Sequence, residues 1–321
     1  MLLEIILVIV GLVVLLLAGD ILVRGAVGLA AALKIPALVI SLTIVAFGTS
    51  APELVVSVQA VWSSNDGIAI GNIIGSNIAN ILLVLGLPAI IYPVTTHVQG
   101  LRRHAVVMLI ATAAFCIAAY GPGQLNTSVG IGLFGAIVAY IAYMWVRAMS
   151  ADANEPVIDE VEEYLAGKGV SLKTILFLIG GLIGLPLGAH LLVSNGSVLA
   201  ENLGVREEVI GLTIIAFGTS LPELATVVAA AVHKKSDVAI GGIIGSNIFN
   251  IFAVGGAAGL AGTAYFNPTS LQVEMPVMAA AAIILGAFVF TRRDIGRISG
   301  LAMLAGYVGF IYFLAAQSGA L

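Results

Sequence analysis

The chain is 321 residues long, 60% hydrophobic and only 9% charged, with a formal net charge of −4. A water-facing surface needs about a quarter charged residues. The composition therefore excludes a soluble globular protein, and so little charge gives no reason to expect a nucleic-acid partner.

Apolar runs of about 20 residues can cross a bilayer as helices. Ten such runs follow one another: 3–31, 36–62, 67–91, 100–119, 127–148, 171–200, 206–232, 237–260, 271–290 and 298–316. The expected fold is an all-α polytopic membrane protein with ten transmembrane helices; a barrel would show short alternating strands. Run 1 carries Glu4, lacks a basic leader and is too long for a signal peptide, so it reads as a span. Asp20 and Arg24 stand four apart on it and are expected to pair. Cys116 lies alone in an apolar run and reads as a small core residue. His190 reads as a packing or interfacial residue and Glu274, near the start of run 9, as solvated. His97, His104 and His233 read as members of basic cytoplasmic loops without a special role.

Lys and Arg collect on the cytoplasmic side of membrane proteins. With the N-terminus outside, every Lys and Arg except Arg206 falls in or beside loops 1, 3, 5, 7 and 9. Ten spans with both termini extracytoplasmic follow from that split.

Residues 39–81 and 209–251 align without a gap at an offset of 170, with about 26 of 43 positions identical. An odd number of spans per copy turns the second copy over. The chain divides as a first five-helix repeat over 1–149, an acidic cytoplasmic linker over 150–170, and a second, inverted repeat over 171–321. Inverted repeats are a mark of secondary transporters, which place substrate where the repeats meet. The linker carries Asp152, Glu155, Asp159, Glu160, Glu162 and Glu163 without EF-hand spacing, and reads as solvated chain.

The best-matched stretches are polar. Ala46-Phe-Gly-Thr-Ser-Ala-Pro-Glu53 returns as Ala216-Phe-Gly-Thr-Ser-Leu-Pro-Glu223. Pro52 has no N–H, so the carbonyl of Gly48 loses its helical partner. Unwound backbone at membrane depth survives only when it faces protein or a water-filled cavity. The first motif then offers carbonyls over Ala46–Thr49, the hydroxyls of Thr49 and Ser50, and the Glu53 carboxylate. The second repeats these donors with Ala216, Thr219, Ser220 and Glu223. All are hard oxygen ligands, suited to sodium and calcium. A carboxylate within a span is a functional residue by default, and neither motif holds a Lys or Arg to pair with it. A second pair of motifs runs Gly71-Asn-Ile-Ile-Gly-Ser-Asn-Ile-Ala-Asn80 and Gly241-Gly-Ile-Ile-Gly-Ser-Asn-Ile-Phe-Asn250. Ser76 and Asn80 share one helix face, as do Ser246 and Asn250. Gly75 and Gly245 permit close approach or a local break. Asn77 and Asn247 point elsewhere and read as bonding exposed backbone.

Together the Gly-Thr-Ser-x-Pro-Glu and Gly-Ser-Asn-Ile-x-Asn runs resemble the alpha repeats of the calcium/cation antiporter superfamily, the sodium/calcium exchangers. The chain looks most similar to the compact prokaryotic members. The resemblance implies a secondary antiporter, not an enzyme, in the inner membrane of a prokaryote, working as a monomer and needing no cofactor. Its partners are the lipid bilayer and the transported calcium and sodium. It implies that Glu53 and Glu223 bridge calcium with the carbonyls of Thr49 and Thr219. Flanking sodium sites use Ala46, Ser50 and Ser76 on one side and Ala216, Ser220 and Ser246 on the other. Asn80 and Asn250 close the middle, and segments 1 and 6 slide as a gate.

Asn250 stands where sodium/calcium exchangers often carry Asp. Two carboxylates are balanced by one calcium, two sodium ions or two protons. Proton or potassium coupling is therefore an alternative to sodium, and exchange is expected to be closer to electroneutral than in three-acid members. A cation channel with a carboxylate filter is a reading from another class, but two inverted repeats favour alternating access. An intramembrane hydrolase lacks any metal-binding His pair or nucleophile–base motif.

Overall fold

The computed structural model describes residues 1–33, 35–150, 170–202 and 218–317, except for the side chains of 148–150. These residues are almost entirely helical. In chain order the elements are α1 (Leu2–Leu33), a bent pair α2 (Ala37–Thr49) and α3 (Ala51–Trp62), α4 (Asp66–Ile91), α5 (Leu101–Tyr120) and α6 (Thr127–Arg147). Then come α7 (Leu172–Asn202), the short α8 (Leu221–Val232), α9 (Ser236–Ala261), α10 (Ser270–Thr291) and α11 (Arg297–Gln317). Among the described residues eight helices are long and apolar enough to cross a membrane, nine if the α2–α3 pair counts as one. They fall on nine of the ten expected runs. For the remaining run, 206–232, only 218–232 lies within the described residues. The acidic stretch 151–169, Lys34 and Arg206 also lie outside them.

The helices are arranged by how much lipid they face. The best apolar window of α9 is wholly buried and that of α4 nearly so, whereas α11 leaves most of its surface uncovered. α1 and α7 lie along each other, and small residues make this possible. A Cβ on Gly11 would stand 2.7 Å from the Leu192 amide nitrogen, and one on Gly188 would stand 2.7 Å from that of Leu15. α1 also presses on α8, where Gly19 faces the Ala225 carbonyl, and α7 presses on α2, where Gly48 faces Leu182.

Two short backbone pairings tie the chain together. Strands β1 (Gln124–Leu125) and β2 (Ala264–Tyr265) run antiparallel, pairing Leu125 with Ala264. A lone bridge joins Val94 to Ile295. The offset of 170 carries Val94 onto Ala264 and Leu125 onto Ile295, so it exchanges the two pairings. They flank opposite ends of α5, a helix about 30 Å long.

Candidate cation site

The site is built where α2 stops. Ser50 has φ −84° and ψ 3°, and the chain turns through 42° between α2 and α3. Pro52 then occupies the first turn of α3, where a missing N–H costs nothing. The unwinding expected over Ala46–Thr49 is narrower than the sequence suggests. These residues stay helical, and the Ala46 carbonyl accepts from the Ser50 amide at 3.0 Å and from Thr49 Oγ1 at 3.3 Å. The break is confined to Ser50 because Pro52 removes one donor only. Ser220 repeats the geometry at φ −85° and ψ 1°, opening α8 with Pro222 in its first turn.

Ser50-x-x-Glu53 and Ser220-x-x-Glu223 have the spacing of a capping box, in which serine and glutamate side chains bond each other's backbone N–H. Neither box closes, for neither serine makes a side-chain cap bond. The polar atoms turn inward instead. Ser50 Oγ donates to Glu223 Oε1 at 3.3 Å. Thr49 Oγ1 and Ser246 Oγ lie 3.4 Å apart. Thr49 and Ser246 also stand by the Glu223 carboxylate, and Thr219 stands by Glu53. Asn80 Nδ2 donates to Asn247 Oδ1 at 3.4 Å. Ser50–Glu223, Thr49–Ser246 and Asn80–Asn247 each join a residue before 150 to one after 170, so the two motif sets form one cluster.

The cluster is shut away from the surface. Glu53, Glu223, Asn80, Asn250, Ser220 and Ser246 are each at most 2% exposed, Thr49, Ser50 and Ser76 are buried, and Thr219 is half-buried. Among the described residues several oxygens have no hydrogen-bond partner: both of Glu53, Oε2 of Glu223, Oδ1 of Asn80 and Asn250, and Oγ of Ser220. A buried carboxylate without a partner is strongly destabilising. Such a set of oxygens fits a hard cation. Among the described residues no group of three or more His, Cys, Asp or Glu side chains could hold a metal, so the charge in this cluster comes from two glutamates.

Ala46 is fully buried, and its Cβ meets α9 at Gly245, where an added Cβ would clash at 2.7 Å. A Cβ added at Gly75, its counterpart, would meet nothing within 4 Å among the described residues beyond its own helix's backbone. Ser76 Oγ donates to the Asn72 carbonyl at 2.7 Å. Ala216 lies outside the described residues.

Other expectations need correction. Asn77 bonds the Ile73 carbonyl of its own helix at 2.7 Å, but Asn247 meets side chains, Asn80 and Met108 Sδ, rather than backbone. His104 is not in a loop; it sits buried on α5 with Nδ1 2.9 Å from the Tyr140 hydroxyl. His233 contacts Asp20, which also pairs with Arg24 at 2.9 Å as expected. Glu274 is half-buried and accepts from Ser270 Oγ at 2.8 Å. Sequence reasoning missed Asn72, whose amide donates to the Glu53 carbonyl at 3.0 Å and to Ser57 Oγ at 2.9 Å. Its polarity within α4 was the available signal. The π-helical segments Asn80–Leu85 and Asn250–Val254 were also missed. π turns often mark functional sites, and these two start at the asparagines of the cluster; Ser41–Val45 and Ser270–Glu274 are π-helical as well.

Comparison with known proteins agrees over almost the whole length. The family model described as sodium/calcium exchanger protein matches residues 3–147 and 173–316. The inner membrane protein YrbG of Escherichia coli (strain K12) is 36% identical over 317 residues, covering 98% of this chain and 97% of that protein. The sodium/calcium exchanger MaX1 of Methanosarcina acetivorans is 32% identical over 338 residues, covering 95% and 96%. A solved structure of the sodium-calcium exchanger NCX_Mj superposes with a TM-score of 0.83 at 32% identity, covering 98% of this chain and 99% of that one. An all-helical membrane architecture, two matched oxygen-rich motifs and these likenesses lead to one conclusion: the chain belongs to the sodium/calcium exchanger protein family.

Proposed function

We propose that this protein is a secondary antiporter that exchanges calcium for sodium by alternating access at the Glu53–Glu223 cluster. Calcium binds between the two carboxylates with help from the Thr49 and Thr219 carbonyls. Sodium binds beside them at Ala46, Ser50 and Ser76, and at Ala216, Ser220 and Ser246. Asn80 and Asn250 close the middle. The observation that carries this reading is the bond from Ser50 to Glu223, together with the unpartnered oxygens around both carboxylates. Two glutamates from matching motifs share one buried cage, and a cation is the neutraliser their donor set suits.

The two halves, 1–149 and 171–321 around a 150–170 linker, are read as inverted five-span repeats, making ten spans in all. The exchange of the Val94–Ile295 and Leu125–Ala264 pairings by the offset of 170, at opposite ends of α5, supports that inversion. The close α1–α7 packing through Gly11 and Gly188 supports a paired gate. The split of basic residues supports extracytoplasmic termini, and the likeness to an inner membrane protein supports placement in the prokaryotic inner membrane.

Calcium uptake into proteoliposomes loaded in turn with sodium, potassium or acid tests the coupling. Uptake with sodium inside, and little with the others, is expected. Uptake that needs no internal cation would instead mark a channel. A second reading, proton or potassium coupling, is favoured by one observation: Asn250 is fully buried and contributes no charge. Uptake driven by acid or potassium alone would select it.

A further inference from the structure

An apolar groove of about 630 Å³ lies between α4, α10 and α11. Leu82 forms part of its lining, with Val277 and Phe288 on α10 and Ile298, Gly306 and Phe313 on α11. From Ile298 to Phe313 the helix rises about 22 Å, most of the roughly 30 Å hydrocarbon core of a bilayer. Ser299 is the one hydroxyl in the lining, and Ile298 at the end is 86% exposed.

That end of the groove carries positive charge. Arg292 and Arg293 follow α10, and Arg297 opens α11 immediately before Ile298 and Ser299. All three are exposed, and none has a carboxylate within ion-pair distance among the described residues. The nearby Asp294 is turned to the loop between α4 and α5, accepting from the Thr96 amide at 3.2 Å and lying 3.9 Å from His97 Nε2. Arg102 adds a further cation beside the end of α10, where it donates to the Phe290 carbonyl at 2.8 Å.

We infer that the groove holds an acyl chain of an anionic glycerophospholipid whose phosphate is bound by Arg293 and Arg297. A long apolar trough with cations at one end is complementary to that one molecule. A zwitterionic lipid matches the trough but not the net charge, and free phosphate matches the charge but not the trough. A second copy of the chain, docked about an axis along the membrane normal, would bring its own arginines to the same depth and repel. Leu82 belongs to the π-helical segment that begins at Asn80, so the bound chain touches the element that presents Asn80 to the cation cluster.

Native mass spectrometry of the full chain tests this, with phosphatidylglycerol and phosphatidylcholine of identical acyl chains in competition. One phosphatidylglycerol per chain is expected, retained about tenfold over phosphatidylcholine. The double variant Arg293→Ala/Arg297→Ala is expected to lose that preference. Gly306→Trp is expected to displace both lipids, and a Cβ at Gly306 has no neighbour within 4 Å among the described residues, so the indole enters open space there. The unfolding midpoint of each variant in lipid-free detergent checks that it remains folded. Equal retention of the two lipids, or a preference unchanged in a folded double variant, overturns the inference. So does phosphatidylglycerol retention unaffected by Gly306→Trp, equal binding of chain-free glycerophosphoglycerol, or a dimer that Gly306→Trp disperses.

Discussion

Glu53 and Glu223 each sit in the first turn of a helix that starts at a serine, the position where backbone N–H groups favour negative charge. The capping boxes stay open, so the serine hydroxyls and glutamate oxygens are spent on the cluster. Ser50 Oγ is the clearest case, because it reaches Glu223 at 3.3 Å across the two halves. A hydrogen bond to a charged group is worth about 1.5–3 kcal/mol. Ser50→Ala should therefore raise the calcium concentration for half-maximal uptake about tenfold or more, with the protein still inserted. Protons compete with cations for carboxylate oxygens, since ligands must be deprotonated to bind. Lowering the pH should raise the half-saturating calcium concentration and leave the maximal rate at saturating calcium largely unchanged. Uptake measured against calcium at several pH values checks the sign. A fall in maximal rate with constant half-saturation would mean that protons act elsewhere.

The elements hold the cluster through close contacts between small residues. Gly11 and Gly188 bring the backbones of α1 and α7 together, and Gly245 brings α9 onto α2 at Ala46. Overpacking such a contact costs about 1–3 kcal/mol. Gly188→Leu should lower the unfolding midpoint by several degrees in detergent and slow exchange. An unchanged midpoint would show that α1 and α7 separate without cost. Much at this scale was legible in the sequence, because hydropathy runs mark helices that face lipid and nine of the ten expected runs coincide with helical spans. The exceptions have physical reasons. Arg102 and Arg103 suggested a loop around His104, yet a helix tolerates charges in its exposed first turn while burying the next residue against Tyr140. The π turns at Asn80 and Asn250 are shifts of hydrogen-bond register, which composition does not encode.

At the scale of the whole molecule, the offset of 170 identifies equivalent residues but not partners. Ser50 is equivalent to Ser220, yet it contacts Glu223. Asn80 is equivalent to Asn250, yet it contacts Asn247. The candidate residues were therefore legible from the repeat, while the crossed pairing required three-dimensional packing. Among the described residues Ser50 Oγ and Asn80 Nδ2 have partners across the halves, while Ser220 Oγ and the Asn250 side chain have none. On the proposed site, with two carboxylates and a neutral Asn250, one calcium would replace two monovalent cations without net charge transfer. Calcium uptake should accordingly change little when the membrane potential is clamped from negative to positive. A strong potential dependence would require a third charge in the cycle.

The most direct test is radioactive calcium uptake into sodium-loaded proteoliposomes by wild type, Glu53→Gln and Glu223→Gln. Either carboxamide removes half of the charge in the cage while keeping its shape. Uptake is expected to fall to the background of protein-free vesicles in each variant, with insertion and unfolding midpoint retained. Wild-type flux in either one would contradict a transport site shared by Glu53 and Glu223.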